Sequence, residues 1–245
     1  MKLSIVIPVL NSHEIVRRQL LHFENIGLPG DTELILVDDG SDPPIENSFS
    51  RLATILRTND KRPWTWALAR NAGARIAQGD YLLMFDLDHI VTRKLIDFVR
   101  GFKGHKVQFL RELGVLDEKG RFTQDRDELL KYGLPKENGL KVGPLPNNFA
   151  MRRDLFWELG GYREDLVERA YPQGEDRLWK KTWYDYQRRT GNFCDPHRPT
   201  IYCYPTGKMV GDVDFNPQGL FHTLTRKTNR NHWYQQQKRK ERVED

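Results

Sequence analysis

The sequence predicts an α/β fold with a mostly parallel sheet, and two observations support that prediction. Apolar runs of strand length recur through the N-terminal part, and segments with helical apolar spacing lie between most of them. Buried strands that alternate with helices are typical of βαβ units, in which the strands run parallel. The predicted strands are LSIVIPV, ELILVDDGSD, LATILRT and YLLMFDLD, and the predicted helices are NSHEIVRRQLLHFENIG, WTWALARNAGARIAQG and TRKLIDFVRGF.

The predicted helices have recognisable boundaries. Asn11 and Ser12 are candidate N-terminal caps of the first helix, and Gly27 follows its last apolar position. The second helix is rich in alanine and is predicted to end at Gly79. The third helix is predicted to begin at the cap Thr92.

After about Gly104 the alternation of strands and helices loosens. The segment 106–122 predicts a hairpin with a turn at Asp117–Gly120, and the polar, Gly- and Pro-containing segment 126–148 predicts a loop. A strand and a short helix are predicted within 147–162. Two further elements are predicted: a helix over 173–191 with aromatic residues Trp179, Trp183 and Tyr186, and a strand over 200–205.

The composition is that of a folded, soluble protein. Of 245 residues, 38% are hydrophobic and 30% are charged, and no apolar run approaches the roughly 20 residues of a membrane-spanning helix. The N-terminal MKLSIVIPVL predicts a first strand rather than a signal peptide. Cys194 and Cys203 have neither metal-ligand spacing nor a disulfide framework, so we expect a reducing cytoplasm.

Positive charge is concentrated near the C-terminus. The formal net charge is +5. The segment from His222 to Arg242 contains seven Lys or Arg residues and one acidic residue. A solvated basic tail explains this pattern. A contact with a diphosphate, an acidic glycan, a membrane surface or a nucleic acid explains it equally well.

Polar chemistry follows three of the predicted strands, at Pro8–Asn11, Asp38–Gly40 and Asp86–Asp88. Ligands bind at the carboxyl ends of strands in open α/β sheets. Side chains two residues apart on an extended chain share a face, so Asp86 and Asp88 would repel each other without a cation between them. A lone Asp-x-Asp often only caps a turn, but three converging sites favour a Mg²⁺ or Mn²⁺ ion that bridges to a phosphorylated substrate. The phosphate-loop and dinucleotide glycine motifs are absent.

These residues resemble a known family. SIVIPVLN, ELILVDDGSD, ARNAGARIAQGDYLLMFDLD and GGYREDL…QGEDRLW occur in the order found in family 2 glycosyltransferases of the GT-A fold, with a galactosyltransferase-like C-terminal part. The resemblance covers about Leu3 to Trp179 and is weaker at GLFHTLTR. It implies a Rossmann-like GT-A domain over 1–245, with a nucleotide-sugar-binding half (1–103) and an acceptor-binding, catalytic-base half (104–245).

The resemblance implies a role for individual residues. Asp86 and Asp88 match the Asp-x-Asp metal motif, and His222 resembles a late histidine that completes the metal shell. Asp176 matches the catalytic base, with Glu175 beside it. The positions that match the family's nucleotide-binding residues are Pro8, Asn11, Asp38, Asp39, Arg70, Asn71 and Asp86.

Other interpretations of these residues stay open. Glu175 and Asp176 would also suit a helix N-terminus, where carboxylates cap the helix and complement its dipole. His222 would also suit a surface or a core. His89 is a further candidate for substrate contact, and Trp64 is a candidate for stacking on a sugar or a base.

The implied function is a metal-dependent, inverting transfer of one sugar from a nucleotide-diphosphate sugar, most simply a UDP-sugar, to a hydroxyl. The implied acceptor is a cell-surface glycan or a hydroxymethylated or glycosylated base in viral DNA, which would place the protein in the host cytoplasm. A nucleotidyltransferase that forms sugar nucleotides is the alternative enzyme, but PVLNSHE lacks its Gly-rich loop. A non-catalytic nucleotide-sugar-binding module is the second alternative, and it would not need Asp176.

Overall fold

The structure is a computed structural model that describes residues 3–46, 51–60, 62, 65–132, 139–167 and 175–205, with the backbone alone at 166, 167 and 175. The described residues form strands and helices in alternation over the N-terminal part, as predicted. The strands are β1 (Leu3–Val9), β2 (Thr32–Asp38), β3 (Ala53–Arg57), β4 (Tyr81–Met84), β5 (His89–Ile90), β6 (Lys106–Gln108), β7 (Leu110–Leu113), β8 (Val115–Leu116), β9 (Phe122–Thr123), β10 (Lys141–Val142), β11 (Phe149–Arg152) and β12 (Thr200–Cys203). The helices are α1 (His13–Ile26), α2 (Trp66–Ile76), α3 (Arg93–Gly101), α4 (Arg126–Leu130), α5 (Arg153–Glu158) and α6 (Glu175–Thr190), with a 3₁₀ turn at Glu164–Val167.

The main sheet has six strands in the order β3-β2-β1-β4-β11-β6. The first four are parallel, as the βαβ pattern predicts, and β11 runs antiparallel to both β4 and β6. The central strand β1 is buried along its whole length, because both of its faces are covered. Strands from both sides of residue 103 belong to this one sheet.

Two hydrophobic clusters cover the two faces of the main sheet. The first cluster contains apolar residues of α1 and α3, including Phe23 and Ile96. The second contains residues of α2, α5 and α6, including Trp179 and Trp183. The aromatic residues predicted in α6 are therefore core residues, and they hold this helix against β11.

A second sheet joins the back half of the chain to the end of β4. Its order is β10-β7-β12-β5, and Cys203 of β12 pairs with His89 of β5. The predicted hairpin is present as β8 and β9, which pair antiparallel around the turn that begins at Asp117.

Three local predictions differ from the structure. The strand β4 ends at Met84, so Asp86 and Asp88 lie in a turn rather than on an extended chain. The helix α2 ends at Ile76 instead of Gly79, because the backbone of Ala77 leaves the helical conformation and is extended. The segment predicted as a loop over 126–148 contains α4 and β10, because α4 has its own cap at Asp125 and β10 pairs with β7.

The predicted helix boundaries are otherwise confirmed. The hydroxyl of Thr92 accepts a hydrogen bond from the Leu95 backbone N–H at 3.2 Å. Gly27 ends α1 with a positive φ of 64°, a conformation that favours glycine. Ser12 precedes α1, but its hydroxyl donates to the Leu10 carbonyl instead of capping the helix. No helix among the described residues has the length and apolarity needed to span a bilayer.

Candidate active site

Several of the predicted site residues lie at the carboxyl ends of β1, β2 and β4. This is the edge at which parallel sheets bind ligands. Asn11 and Asp39 follow β1 and β2 by one or two residues, and Asp86 follows β4 after Phe85.

The turn after β4 brings three ligand-type side chains together. The His89 backbone N–H donates to the Asp86 carbonyl at 2.9 Å, and the Tyr204 backbone N–H donates to the Asp88 carbonyl at 3.0 Å. Ligand-type atoms of Asp86, Asp88 and His89 all lie within 4.8 Å of one another. Two carboxylates this close repel each other, and their oxygen atoms suit Mg²⁺ or Mn²⁺. The group therefore fits a divalent cation.

His89 holds the carboxylate of Asp88 in place. Its Nδ1 donates to Asp88 Oδ1 at 2.6 Å, and Arg111 Nη1 lies 3.3 Å from its Nε2. Both ring nitrogens are therefore engaged, and the ring is fully buried. Burial alone would raise the pKa of Asp88, but His89 and Arg111 hold that pKa below its ordinary value. Asp88 is thus kept as an anion.

Asp86 forms an ion pair with Arg70 of α2. The Arg70 side chain is 4% exposed and that of Asp86 is 31% exposed. Burial raises the pKa of Asp86; Arg70 opposes the rise, whereas Asp88 and Asp176 add to it. The carboxylates of Asp86, Asp88 and Asp176 therefore concentrate negative charge in this region, and a bound cation would offset that charge.

The loop after β1 is tied to the loop after β2. Asn11 has a left-handed φ of 51°, which Asn tolerates better than most residues. Its backbone N–H donates to the Ser41 hydroxyl at 2.9 Å, and its side-chain oxygen accepts from the Asp42 N–H at 2.6 Å. Pro8 lies within β1 opposite Val37. These contacts fix the backbone at the predicted nucleotide-binding edge.

The two acids at the end of β2, Asp38 and Asp39, bind different partners. Asp38 accepts hydrogen bonds from the Ser41 and Ile45 backbone N–H groups, both at 2.9 Å, so it shapes the loop. Asp39 is fully buried and accepts from the Thr65 hydroxyl at 2.6 Å. This bond links β2 to the start of α2.

Asn71 connects α2 to the segment after α5. Its side-chain N–H group donates to the Tyr162 carbonyl at 2.8 Å and to Glu164 at 2.7 Å, and its oxygen accepts from the Tyr162 N–H at 3.0 Å. Both ends of the amide are thus used in packing the second cluster. The structure does not bring this side chain to the Asp86–Asp88 group.

Asp176 lies in the first turn of α6 and is half-buried. Asn147 Nδ2 donates to its carboxylate at 2.5 Å, and the Tyr162 hydroxyl in turn donates to Asn147 Oδ1 at 2.9 Å. Asp176 lies close enough to Asp86 to raise the pKa of that carboxyl. Asp176 and the metal-type group are therefore near each other.

Some predicted residues lie outside the described part of the chain. They are His222, Trp64 and the basic segment 222–242, together with the side chain of Glu175. Sequence reasoning missed the supporting residues Asn147, Tyr162 and Arg111. Their signal was weak, because an Asn before a strand or an Arg within one is common without any function.

Fold and site together define the class: an α/β protein with an acidic, metal-type group at the carboxyl end of a parallel sheet and a further carboxylate, Asp176, near it. The profile of glycosyl transferase family 2 matches residues 4–160, more than half of the chain. The chain belongs to this family.

The proteins similar to this chain include two curated relatives and two solved structures. A Bacillus spizizenii poly(ribitol-phosphate) beta-glucosyltransferase is 28% identical over 193 residues, which is 66% of this chain and 30% of the relative. Drosophila melanogaster N-acetylgalactosaminyltransferase 4 is 26% identical over 176 residues, which is 55% of this chain and 25% of the relative. This chain thus spans under a third of either relative.

The solved structures share the fold. S. aureus TarS 1–349 in complex with UDP-GlcNAc matches with a TM-score of 0.52 at 17% identity. The aligned region covers 84% of this chain and 56% of the TarS chain. The mannosyltransferase PcManGT from Pyrobaculum calidifontis, in complex with GDP-Man and Mn²⁺, has a TM-score of 0.54 at 17% identity, with 84% and 57% covered. The predicted GT-A fold is confirmed.

Proposed function

We propose that the protein transfers one sugar from a nucleotide-diphosphate sugar to a hydroxyl group, with inversion at the anomeric carbon. The observation that supports this most directly is that Asp176, held by Asn147 at 2.5 Å, lies close enough to the Asp86–Asp88–His89 group to raise the pKa of Asp86. Such a site offers a base on one side and a place for a diphosphate on the other.

Asp88 and Asp86 would hold Mn²⁺ or Mg²⁺, and His89 would orient Asp88. When bound, the cation offsets the charge that grows on the departing diphosphate. Arg70, beside Asp86, adds a fixed positive charge at the same end. The front half, 1–103, would bind the donor through Pro8, Asn11, Asp38, Asp39, and the start of α2.

Asp176 would accept the proton of the acceptor hydroxyl. The hydroxyl oxygen then bonds to the anomeric carbon as the bond from that carbon to the phosphate oxygen breaks, and the diphosphate leaves with the electron pair. One displacement of this kind inverts the carbon. Glu175 and His222 would assist at the base and at the metal, respectively.

The donor is proposed to be a UDP-sugar and the acceptor a cell-surface glycan. The TarS complexes contain UDP and UDP-GlcNAc, and the Bacillus relative is named for action on poly(ribitol phosphate). Modified DNA is the competing acceptor, and its only support is the basic segment 222–242.

Asp176→Asn tests the base. We expect sugar transfer to fall by about 10²–10⁴-fold because the amide cannot accept the proton, while donor binding stays unchanged. The measurement is a transfer assay together with donor titration. Asp185→Asn, on the same helix, is the matched control, because Asp185 pairs only with Lys181 and Arg188 among the ion pairs described, and it should keep full activity. Wild-type transfer by Asp176→Asn would refute the assignment.

A further inference from the structure

A polar cavity lies beside the C-terminal half of α6, apart from the Asp86–Asp88–His89 group. It has a volume of about 90 Å³ and lies between β6, α6 and the segment that follows α6. On α6, Trp183 at the cavity is seven residues from Asp176, about 10 Å along the helix axis. The residues that matter for its chemistry are Lys106, Lys180, Trp183, Gln187, Cys194 and Arg198.

Lys106 is a buried cation in this cavity. The residue is 2% exposed, and its Nζ lies 4.7 Å from the centre of the Trp183 ring and 4.8 Å from that of Phe149. The Trp179 ring is 5.7 Å away. Aromatic faces stabilise an ammonium group, but by far less than burial in a protein interior costs a charge. Burial lowers the pKa of Lys106 to about 8, so the charge is present at neutral pH.

No carboxylate among the described residues pairs with Lys106, and none lines the cavity. Lys180 and Arg198 add two more positive charges at its mouth. Burial raises the pKa of Cys194, so this neighbour is a neutral thiol. The nearby Asp195 accepts a hydrogen bond from the His197 N–H at 2.7 Å, and only its backbone N–H contacts Lys106, at the carbonyl. As far as the described residues show, the cavity is therefore a small, positively charged space without a counter-ion of its own.

We propose that this cavity binds a compact oxyanion of the phosphate or sulfate class, with Lys106 as its principal ligand. The anion supplies the missing counter-charge, and Lys180 and Arg198 attract it from solvent. The Gln187 side chain on the wall offers a neutral hydrogen-bonding group. The site is separate from the Asp86–Asp88–His89 group. The proposal that it binds an oxyanion therefore does not depend on whether the chain transfers a sugar.

The first test is thermal unfolding of the full chain in increasing phosphate or sulfate, against chloride at matched ionic strength. We expect a saturable rise of the unfolding midpoint for the wild type and none beyond chloride for Lys106→Met. Lys181→Met is the matched control. Lys181 follows the cavity residue Lys180 on α6, but it pairs with Asp185 and does not line the cavity. It should respond like the wild type. An equal response of all three proteins would show only general salting-out and would overturn the proposal.

The second test needs no variant. In the wild-type protein with isotope-labelled lysines, the buried amine should titrate near pH 8, and its pKa should rise by at least one unit as phosphate is added, because the anion stabilises the ammonium form. A pKa unchanged by saturating phosphate would overturn the proposal. Dimethyl phosphate is the parallel probe: if it binds, the site takes a phosphodiester within a longer molecule, and if only inorganic phosphate binds, the site takes the free ion.

Discussion

Burial acts on two ionisable side chains, Lys106 and Asp86, and disfavours the charged form of both. It lowers the pKa of Lys106 to about 8 and raises that of Asp86. Asp86 has an ion-pair partner in Arg70, whereas the described residues offer the Lys106 ammonium only aromatic rings. A buried charge of this kind lowers the stability of the fold, and strongly perturbed pKa values cluster at functional sites.

The stability cost of Lys106 should depend on pH. Because the folded pKa of about 8 lies below the ordinary value of 10.5, the unfolded chain binds more protons between these values, and stability rises with pH across that window. Below about pH 8 the full penalty applies, on the order of 3 kcal/mol. Lys106→Met should therefore be more stable than the wild type by up to that amount at neutral pH.

The difference should shrink as the pH rises from about 8 and should close above pH 10.5, where the lysine is neutral in both states. Denaturant unfolding of both proteins across this range, in buffers free of phosphate and sulfate, measures it. A variant that is less stable at every pH would show that the charge is already compensated within the protein.

At the scale of elements, the packing of α2 on the sheet depends on a glycine. A Cβ added at Gly73 would lie 2.4 Å from Val6 Cγ1 and 2.9 Å from Val37 Cγ2, on β1 and β2. Both contacts are shorter than van der Waals distance, so the helix would have to move away from the sheet. The close approach of α2 is what brings Arg70 to Asp86.

Gly73→Ala should accordingly destabilise the protein by about 1–3 kcal/mol, although alanine normally favours a helix by roughly 1 kcal/mol. Gly101→Ala is the matched control, because Gly101 is also helical and nothing lies within 4 Å of the added atom. It should be neutral or slightly stabilising. Chemical denaturation compares the two, and a stabilising Gly73→Ala would contradict the packing described for α2.

Elements with a strong apolar pattern were predictable from the sequence. The buried run of β1 and the amphipathic spacing of α1 and α3 are local signals, and Thr92 and Gly27 act as predicted. The separation of β6 from β7 at Phe109 was not predictable, because the two strands pair with different partners, β11 and β12. Pairing between distant segments leaves no mark in a single sequence.

The site shows the same division. Asp86 and Asp88 stand out by their spacing, but the apolar pattern before them extends the predicted strand through the turn that begins after Phe85 and brings them together. The hydrogen bond from Asn147 to Asp176 joins residues 29 apart in sequence. Asn71 matched a nucleotide-binding position, yet its amide contacts Tyr162 and Glu164.

At the scale of the whole molecule, the +5 net charge and the basic segment 222–242 bear on the acceptor. A DNA acceptor would require several phosphate contacts, and affinity for duplex DNA would then fall by roughly 10³–10⁵-fold between about 50 and 200 mM salt. With a glycan acceptor, we expect only weak DNA binding and no transfer to hydroxymethylated duplex. A filter-binding salt series with a transfer assay decides this, and a steep fall together with transfer to DNA would contradict the glycan proposal.

The central claim is that Asp88 and its neighbours hold a cation that binds a nucleotide donor. Calorimetric titration of UDP, GDP and UDP-sugars, with and without Mn²⁺, tests it on the wild type and on Asp88→Ala. Asp154→Ala is the control, because Asp154 is 65% exposed and pairs with Arg152 away from the site. The account predicts Mn²⁺-dependent nucleotide binding that Asp88→Ala loses and Asp154→Ala keeps. Binding that needs no metal, or that survives Asp88→Ala unchanged, would contradict it.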